Sequence, residues 1–279
     1  MNFDKIFNQI EEVDPEVFGR MDTRRSAMKE FAGMAGKVAV AAIPLMLGSM
    51  FKKAYAGASM RGPLDVLNFA LTLEYLESNF YNMGYANSSM IPSVNSAGIG
   101  DIVADEASHV KFLQTAITGA GGTPVAQSSF KYDFTAGGTF NDVFTNFDTF
   151  LAVAQAFEDT GVRAYKGQAG YLIGTGAILT AALNIHSVEA RHASHIRQIR
   201  HLRGAMVKPW ITLAQTGINS PAVNASYAGE DNITIAGMNL VGINGHSEID
   251  ANAVSEAFDE ILTTDQVVAI AKNFITQGL

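Results

Sequence analysis

Four stretches of this chain carry apolar residues at helical spacing, and each places a glutamate in the middle of its apolar stripe. Clusters of Gly, Ser, Asn and Pro separate the stretches, which cover about residues 63–85, 99–118, 141–165 and 177–203. The glutamates are Glu74, Glu106, Glu158 and Glu189. A carboxylate in a core-facing stripe is unfavourable unless it is paired or bound to something. The pattern predicts an all-α fold, a four-helix bundle whose interior carboxylates need a partner.

Two of the four glutamates belong to Glu-x-x-His pairs, Glu106 with His109 and Glu189 with His192. A spacing of three residues puts a carboxylate and an imidazole on one helix face, close enough to bind the same metal ion. Taken singly, each histidine would be interpreted as a hydrogen-bonded core residue, but the paired arrangement favours metal ligands. The chain has no cysteine, which excludes disulfides, thiolate zinc sites and iron–sulfur clusters.

The order Glu, then Glu-x-x-His, occurs twice along the chain. Glu74 precedes the first pair by 32 residues and Glu158 precedes the second by 31, and a tyrosine follows each by seven residues, at Tyr81 and Tyr165. Such a duplicated helical hairpin predicts a pseudo-two-fold bundle with a site on its axis. The first helix also offers Glu77 as an alternative ligand, although the step of seven residues to Tyr81 favours Glu74.

With this pattern the sequence resembles the ferritin-like di-iron carboxylate superfamily, and within it the exported ferritin-like or desiccation-related proteins of bacteria. The resemblance covers about Pro63 to Gly204, and the segment LNFALTLEYLESNFY is particularly similar to that group. It implies a ferritin-like bundle with a crossover connection between helices two and three. The ligands that it implies are Glu74 and Glu158 as terminal ligands, Glu106 and Glu189 as bridging ligands, and His109 and His192 as one nitrogen ligand to each metal.

Four carboxylates and two imidazoles are oxygen and nitrogen donors that suit two iron ions, with manganese as the alternative. Bridging carboxylates would hold two metals about 3.5–4 Å apart, where dioxygen or peroxide can be reduced by the pair. Tyr81 looks like the tyrosine near the ferroxidase centre of ferritins, and Tyr165 is its symmetry mate. Both tyrosines are therefore candidate catalytic residues, as hydrogen-bond donors or one-electron relays.

The sequence leaves open whether the protein is an enzyme. If it is, we expect a di-metal oxidoreductase of peroxidase, ferroxidase or catalase type, which reacts with dioxygen or peroxide or oxidises Fe(II). The alternatives are a non-catalytic metal-binding or stress-protective module and a degenerate bundle without metal. A net charge of −8 and the lack of a Lys/Arg cluster in the body of the chain argue against a nucleic-acid partner. The sequence does not decide whether the chain forms a homo-oligomer.

The first 56 residues have the three parts of a twin-arginine export signal. Arg24 and Arg25 precede an uncharged run at 38–51, and a small-x-small ending, Ala-Tyr-Ala, closes at Ala56. The run has 14 residues and includes Pro44, whereas a bilayer span needs about 20 residues. We therefore expect residues 1–56 to be a signal peptide, with no membrane span in the mature chain, and export to the periplasm or the extracellular space.

The predicted organisation after the signal has two parts. Residues 57–204 form the bundle, with Asn141 as the expected cap of the third helix and a short strand in SSFKYDF between helices two and three. Residues 205–279 form a loop-rich C-terminal extension that packs on the bundle and ends in a helix near Asp265 to Thr276.

Overall fold

The fold comes from a computed structural model that describes residue 26, residues 62–87 and residues 89–279. The predicted signal peptide, including its arginine pair and its cleavage site, lies outside these residues apart from Ser26. Four long helices dominate the described part: α1 (Pro63–Ala86), α2 (Ser93–Gly119), α3 (Phe147–Ala169) and α4 (Ala177–Leu202). Across the described ranges, no helix combines the length and the apolar character that crossing a membrane requires.

The four long helices form two hairpins that pack face to face. α1 packs against α2 and α3 against α4, and short connections at 87–92 and 170–176 make each pair antiparallel. α1 and α3 are also antiparallel, because Tyr81 contacts Glu158 while Tyr165 contacts Glu74. α2 and α3 therefore run in the same direction, so residues 120–146 must return along the length of the bundle. The chain has the all-α bundle and the crossover that were predicted.

The third helix begins six residues later than Asn141, the cap expected from the sequence. Its cap is Asn146, whose side chain accepts a hydrogen bond of 3.0 Å from the backbone N–H of Asp148. Upstream, the Asp133 side chain accepts N–H groups from Thr135 and Gly137 and holds the chain in consecutive turns. Asn141 was a wrong prediction, because residues 134–145 stay in turns, the last of which closes with Thr145 and Asn146 N–H groups donating to the Asp142 carbonyl, and the helix starts only at Phe147.

An aromatic cluster lies between α1, α3 and the C-terminal extension. Phe80 of α1 is fully buried and stacks on Phe150 of α3 at 4.7 Å between ring centroids. Phe157 meets both Phe80 and Phe274, so the same cluster reaches from α1 through α3 to the C-terminal extension. Such ring pairs add about 0.5–1.5 kcal/mol each beyond their buried area, and they hold the crossover and the extension against the bundle.

The C-terminal extension consists of short elements; its first 3₁₀ turn and its last helix pack on α3, and its last strand pairs with the crossover. These elements are a 3₁₀ turn (Pro221–Tyr227), the hairpin of β2 (Thr234–Ile235) and β3 (Met238–Asn239), α5 (Ala251–Ala257), α6 (Thr264–Ala271) and β4 (Ile275–Gln277). α6 packs on α3 and is shorter than the helix expected at Asp265 to Thr276. After α6 the chain turns, and β4 pairs antiparallel with β1 (Lys131–Tyr132), the short strand predicted within SSFKYDF. A strand therefore follows the last helix, because β1 offers an edge for Ile275 to pair with.

Candidate metal centre

Six side chains from the four long helices meet in the middle of the bundle, and they are the six ligands that the resemblance implies. We call them the carboxylate cluster: Glu74 from α1, Glu106 and His109 from α2, Glu158 from α3, and Glu189 and His192 from α4. The four glutamates are 0% exposed, and the two histidines are 8% and 6% exposed. The four apolar stripes, each with its glutamate, thus face one common position inside the bundle.

The carboxylate cluster divides into two groups of four donor atoms, each group lying within 4.8 Å. One group contains Glu74 and His109, the other contains Glu158 and His192, and Glu106 and Glu189 belong to both. His109 Nδ1 lies 3.3 Å from Glu74 Oε2 and 3.2 Å from Glu189 Oε1. His192 Nδ1 lies 2.9 Å from Glu106 Oε1 and 3.5 Å from Glu158 Oε2. The cluster therefore offers two adjacent positions for a metal ion, and Glu106 and Glu189 lie between these positions.

Most donor atoms of the cluster have no hydrogen-bond partner among the described residues. These atoms are Glu74 Oε2, both carboxylate oxygens of Glu106 and Glu189, Glu158 Oε2, and Nδ1 of both histidines. Each Nδ1 faces several oxygens at once without the alignment of a hydrogen bond, an arrangement in which donor atoms surround a common point. Four buried carboxylates with only two imidazoles leave an excess of negative charge, which is costly in the interior, and two divalent cations would balance the four carboxylates. The donor set therefore fits a pair of metal ions.

Burial and the charges of neighbouring groups shift the pKa values of the carboxylates and imidazoles in the cluster. Burial raises the pKa of Glu74 to about 8, and the nearby charge of Glu106 adds to that rise. Burial also acts to raise the pKa of Glu106, but the imidazoles of His109 and His192 outweigh it and hold that pKa at about 2. Burial disfavours a charged imidazole, yet the surrounding carboxylates raise the pKa of His192 to about 11. A metal ion entering the cluster must displace protons from these histidines.

Glu74 and Glu158 each accept a hydrogen bond from the tyrosine of the opposite hairpin. Tyr81 donates to Glu158 Oε1 at 2.5 Å, and Tyr165 donates to Glu74 Oε1. Burial, followed by the charge of the glutamate, raises the pKa of both tyrosines well above 10, so both are neutral donors at neutral pH. The hydroxyls hold Oε1 of each glutamate and leave Oε2 directed at the cluster.

His192 has an additional partner on its outer side. Its Nε2 lies 3.1 Å from Asp105 Oδ2, and the Asp105 side chain is 51% exposed. A carboxylate on the far ring nitrogen orients an imidazole and increases its basicity as a ligand. This contact directs Nδ1 of His192 towards the cluster.

Glu77, the alternative to Glu74, is buried as well but does not join either group of donor atoms. Burial, and then the charge of Glu189, raises its pKa well above the ordinary value. A Cβ at Gly161 would lie 3.2 Å from Glu77 Oε1 and 3.1 Å from Glu189 Oε2, so glycine leaves room there for both carboxylates. Sequence reasoning considered Glu77 only as an alternative ligand; a signal of its burial is that Leu73, Phe80 and Tyr81 lie about one helical turn away on the same side of the helix.

Comparison with known families gives one match to this part of the chain. A family model described as a ferritin-like domain matches residues 62–202, which span α1 to α4 and include the carboxylate cluster and both tyrosines. No curated protein matches the chain significantly.

Proposed function

We propose that this chain, which belongs to the ferritin-like domain family, binds two iron ions in the carboxylate cluster and acts as an exported oxidoreductase. The observation that carries the proposal is the convergence of buried donor atoms that have no partner of their own among the described residues. Oxygen and nitrogen donors without sulfur suit iron, with manganese as the alternative metal.

The proposed ligand assignment follows the two groups of donor atoms. Glu74 and His109 hold one ion, and Glu158 and His192 hold the other. Glu106 and Glu189 are shared between them, as their membership of both groups supports. Asp105 keeps the His192 ring in place through its outer nitrogen.

A bound iron pair supplies two electrons at one place, so that two Fe(II) ions, one dioxygen molecule and two protons yield two Fe(III) ions and hydrogen peroxide. The chain itself supplies a buried, preorganised environment. Tyr81 and Tyr165 stay protonated and hold one oxygen of each terminal glutamate. Because they lie one hydrogen bond from a ligand, they are the candidate residues for donating a proton or an electron when peroxide is the substrate.

The cellular context belongs to the same proposal. The mature chain begins after Ala56 and is exported by the twin-arginine route to the periplasm or the extracellular space, as in desiccation-related proteins. That route carries folded proteins, which supports loading of the metal before export.

A second candidate function is a structural, stress-protective metal module. The observation that favours it is that all four long helices contribute ligands, so that two ions would crosslink the bundle. A fully loaded protein that turns over neither Fe(II) with dioxygen nor peroxide would support this module and contradict the oxidoreductase. Oxygen evolution from peroxide without a reductant would instead indicate a catalase.

The test of metal binding is elemental analysis of the purified mature chain and four variants. Glu106→Ala removes a shared ligand and His192→Ala a nitrogen ligand. The matched controls are Glu248→Ala and His201→Ala, since both side chains are exposed and lie outside the cluster. We expect about two iron or manganese ions per chain in the wild type and both controls, and fewer than about one in the two cluster variants. Negligible metal in all five proteins would contradict the proposal.

A further inference from the structure

An apolar cavity lies between the four helices at one end of the carboxylate cluster. Residues from every long helix line it, among them Ala70 and Leu73 of α1, Phe112 and Leu113 of α2, Tyr165 of α3 and Ala182 of α4. Phe112 is 40% exposed and borders both the cavity and the solvent. The cavity therefore connects the surface of the protein with its interior on the side of α2.

The inner end of this cavity lies beside the proposed ligands. Leu73 directly precedes Glu74, and Leu113 follows His109 by one helical turn on the same face. Tyr165 contributes to the lining, and its hydroxyl donates a hydrogen bond to Glu74. One tyrosine ring thus separates the cavity from a carboxylate of the proposed metal site.

The size and the chemistry of the cavity restrict its occupant. It offers about 20 Å³ to the centre of a water-sized molecule, which is room for one or two small molecules. A buried water needs two to four polar partners, but among the described residues that line the cavity only the side chains of Tyr165 and Gln168 are polar. The Tyr165 hydroxyl is engaged with Glu74, and Gln168 Nε2 donates to Thr264 at 3.1 Å. Gln168 Oε1 remains as an acceptor, which is too little for water or peroxide.

We propose that this cavity binds dioxygen and is the place where dioxygen approaches the proposed metal site. Dioxygen is diatomic and apolar, so it fits the volume and loses no hydrogen bonds on entry, whereas peroxide would lose several. The inference rests on the proposed function, since it supposes a metal pair that dioxygen can oxidise. It adds the place where that oxidant enters.

The test that does not depend on metal uses xenon, an apolar probe of small-gas size, with the mature chain in its metal-free and loaded forms. We expect xenon to bind in the cavity, observed by ¹²⁹Xe NMR or in crystals under xenon pressure. Ala182→Leu fills the cavity from α4 and should abolish this binding. The matched control is Ala190→Leu, the same substitution at an exposed position of α4. Xenon absent from the wild-type cavity, or unaffected by Ala182→Leu, overturns the inference.

A kinetic test then separates the two oxidants. In Ala182→Leu we expect Fe(II) oxidation by dioxygen to slow about tenfold, with unchanged oxidation by hydrogen peroxide and unchanged metal content. If Ala182→Leu does not fold, Ala70→Leu fills the same space from α1, and Phe112→Ala should accelerate xenon exchange. Equal rates with dioxygen in wild type and a filled variant that retains its metal overturn the inference and leave the metal centre standing. Absence of metal from the wild type is instead the failure of the proposed function.

Discussion

Two clusters of buried charged side chains both use residues of α3 and α4, and their charges are balanced in different ways. The carboxylate cluster lies between the hairpins. The second, which we call the arginine cluster, lies between the bundle and the extension and consists of Asp159, Arg163, Arg197, Tyr227 and Glu230. Arg197 donates to both oxygens of Asp159, Tyr227 donates to Asp159 at 2.7 Å, and Arg163 pairs with Glu230 at 2.8 Å.

The two clusters differ in their balance of positive and negative charges. In the arginine cluster two guanidinium groups face two carboxylates, so each charge has an opposite partner within the chain. In the carboxylate cluster four carboxylates face two imidazoles, and most of their donor atoms have no hydrogen-bond partner in the described part of the chain. Glu158 and Asp159 are neighbours in sequence, yet they belong to different clusters. The difference teaches that buried charge balanced within the chain indicates a structural role, whereas an excess of buried carboxylates indicates a site for a cation.

The largest expected effect comes from Asp159→Ala in the arginine cluster. The substitution leaves the Arg197 guanidinium, which is 1% exposed, buried without its counter-ion. We expect a loss of about 3–5 kcal/mol in the free energy of unfolding, measured by chemical denaturation with and without chelator. Because this cluster needs nothing from outside, the loss should be the same in both conditions. A loss that vanishes on chelation would contradict the distinction between the clusters.

Removal of metal should be the next largest effect, and it acts on the carboxylate cluster alone. A ligand at about 100 times its dissociation constant stabilises the folded state by about 2.7 kcal/mol. We expect chelation to lower the free energy of unfolding by about this amount. We also expect Tm to depend on the metal concentration. Calorimetry at several metal concentrations measures this, and the Glu106→Ala variant should not respond. A Tm that is independent of metal in the wild type would contradict a metal site.

The pH dependence of the metal-free protein should differ from that of the loaded protein. The folded-state pKa is raised to about 8 for Glu74 and to about 11 for His192. A group whose pKa is raised by folding contributes its full stabilisation when the pH is below its pKa in the unfolded chain. That stabilisation is lost as the pH rises through its pKa in the folded protein. Metal-free protein should therefore lose stability from about pH 5 towards pH 11, by up to about 1.4 kcal/mol per pH unit per proton.

The same linkage predicts that metal binding releases protons, so the metal affinity should fall as the pH falls. Denaturation of chelated and loaded protein across this range checks the first expectation, and a pH indicator in weakly buffered solution checks the second. Chelated protein that gains stability at alkaline pH would be the contrary result.

The smallest expected effect comes from Glu158→Gln, at the residue next to Asp159. Its sign is opposite to that of Asp159→Ala. Burial raises the pKa of Glu158, so its charge opposes folding in the absence of metal. Glu158→Gln removes this charge and retains an oxygen for Tyr81. We expect the metal-free protein to gain at most about 1 kcal/mol in the free energy of unfolding, because the substitution also takes a counter-ion from His192, while metal retention declines, measured by denaturation and elemental analysis of the same samples. A destabilised metal-free variant would show that the charge of Glu158 is paired within the chain.

The helices and the donor residues could be predicted because both follow local rules. The boundaries of α1 and α4 lie within two residues of those expected, since Pro63 and Gly204 mark their limits in the sequence. The arginine cluster could not be predicted, because Glu230 and Tyr227 lie in the extension, more than 60 residues from Arg163 and Asp159. No periodicity connects partners so far apart along the chain.

The sequence by itself determined that four helices would each bring a carboxylate inward, and that two would add an imidazole three residues later. Helical geometry makes that a local property. Only the tertiary structure decided that Tyr81 and Tyr165 bond the glutamates of the opposite hairpin rather than those of their own. These choices depend on the antiparallel packing of α1 on α3, which the crossover imposes and which no stretch of either helix encodes alone.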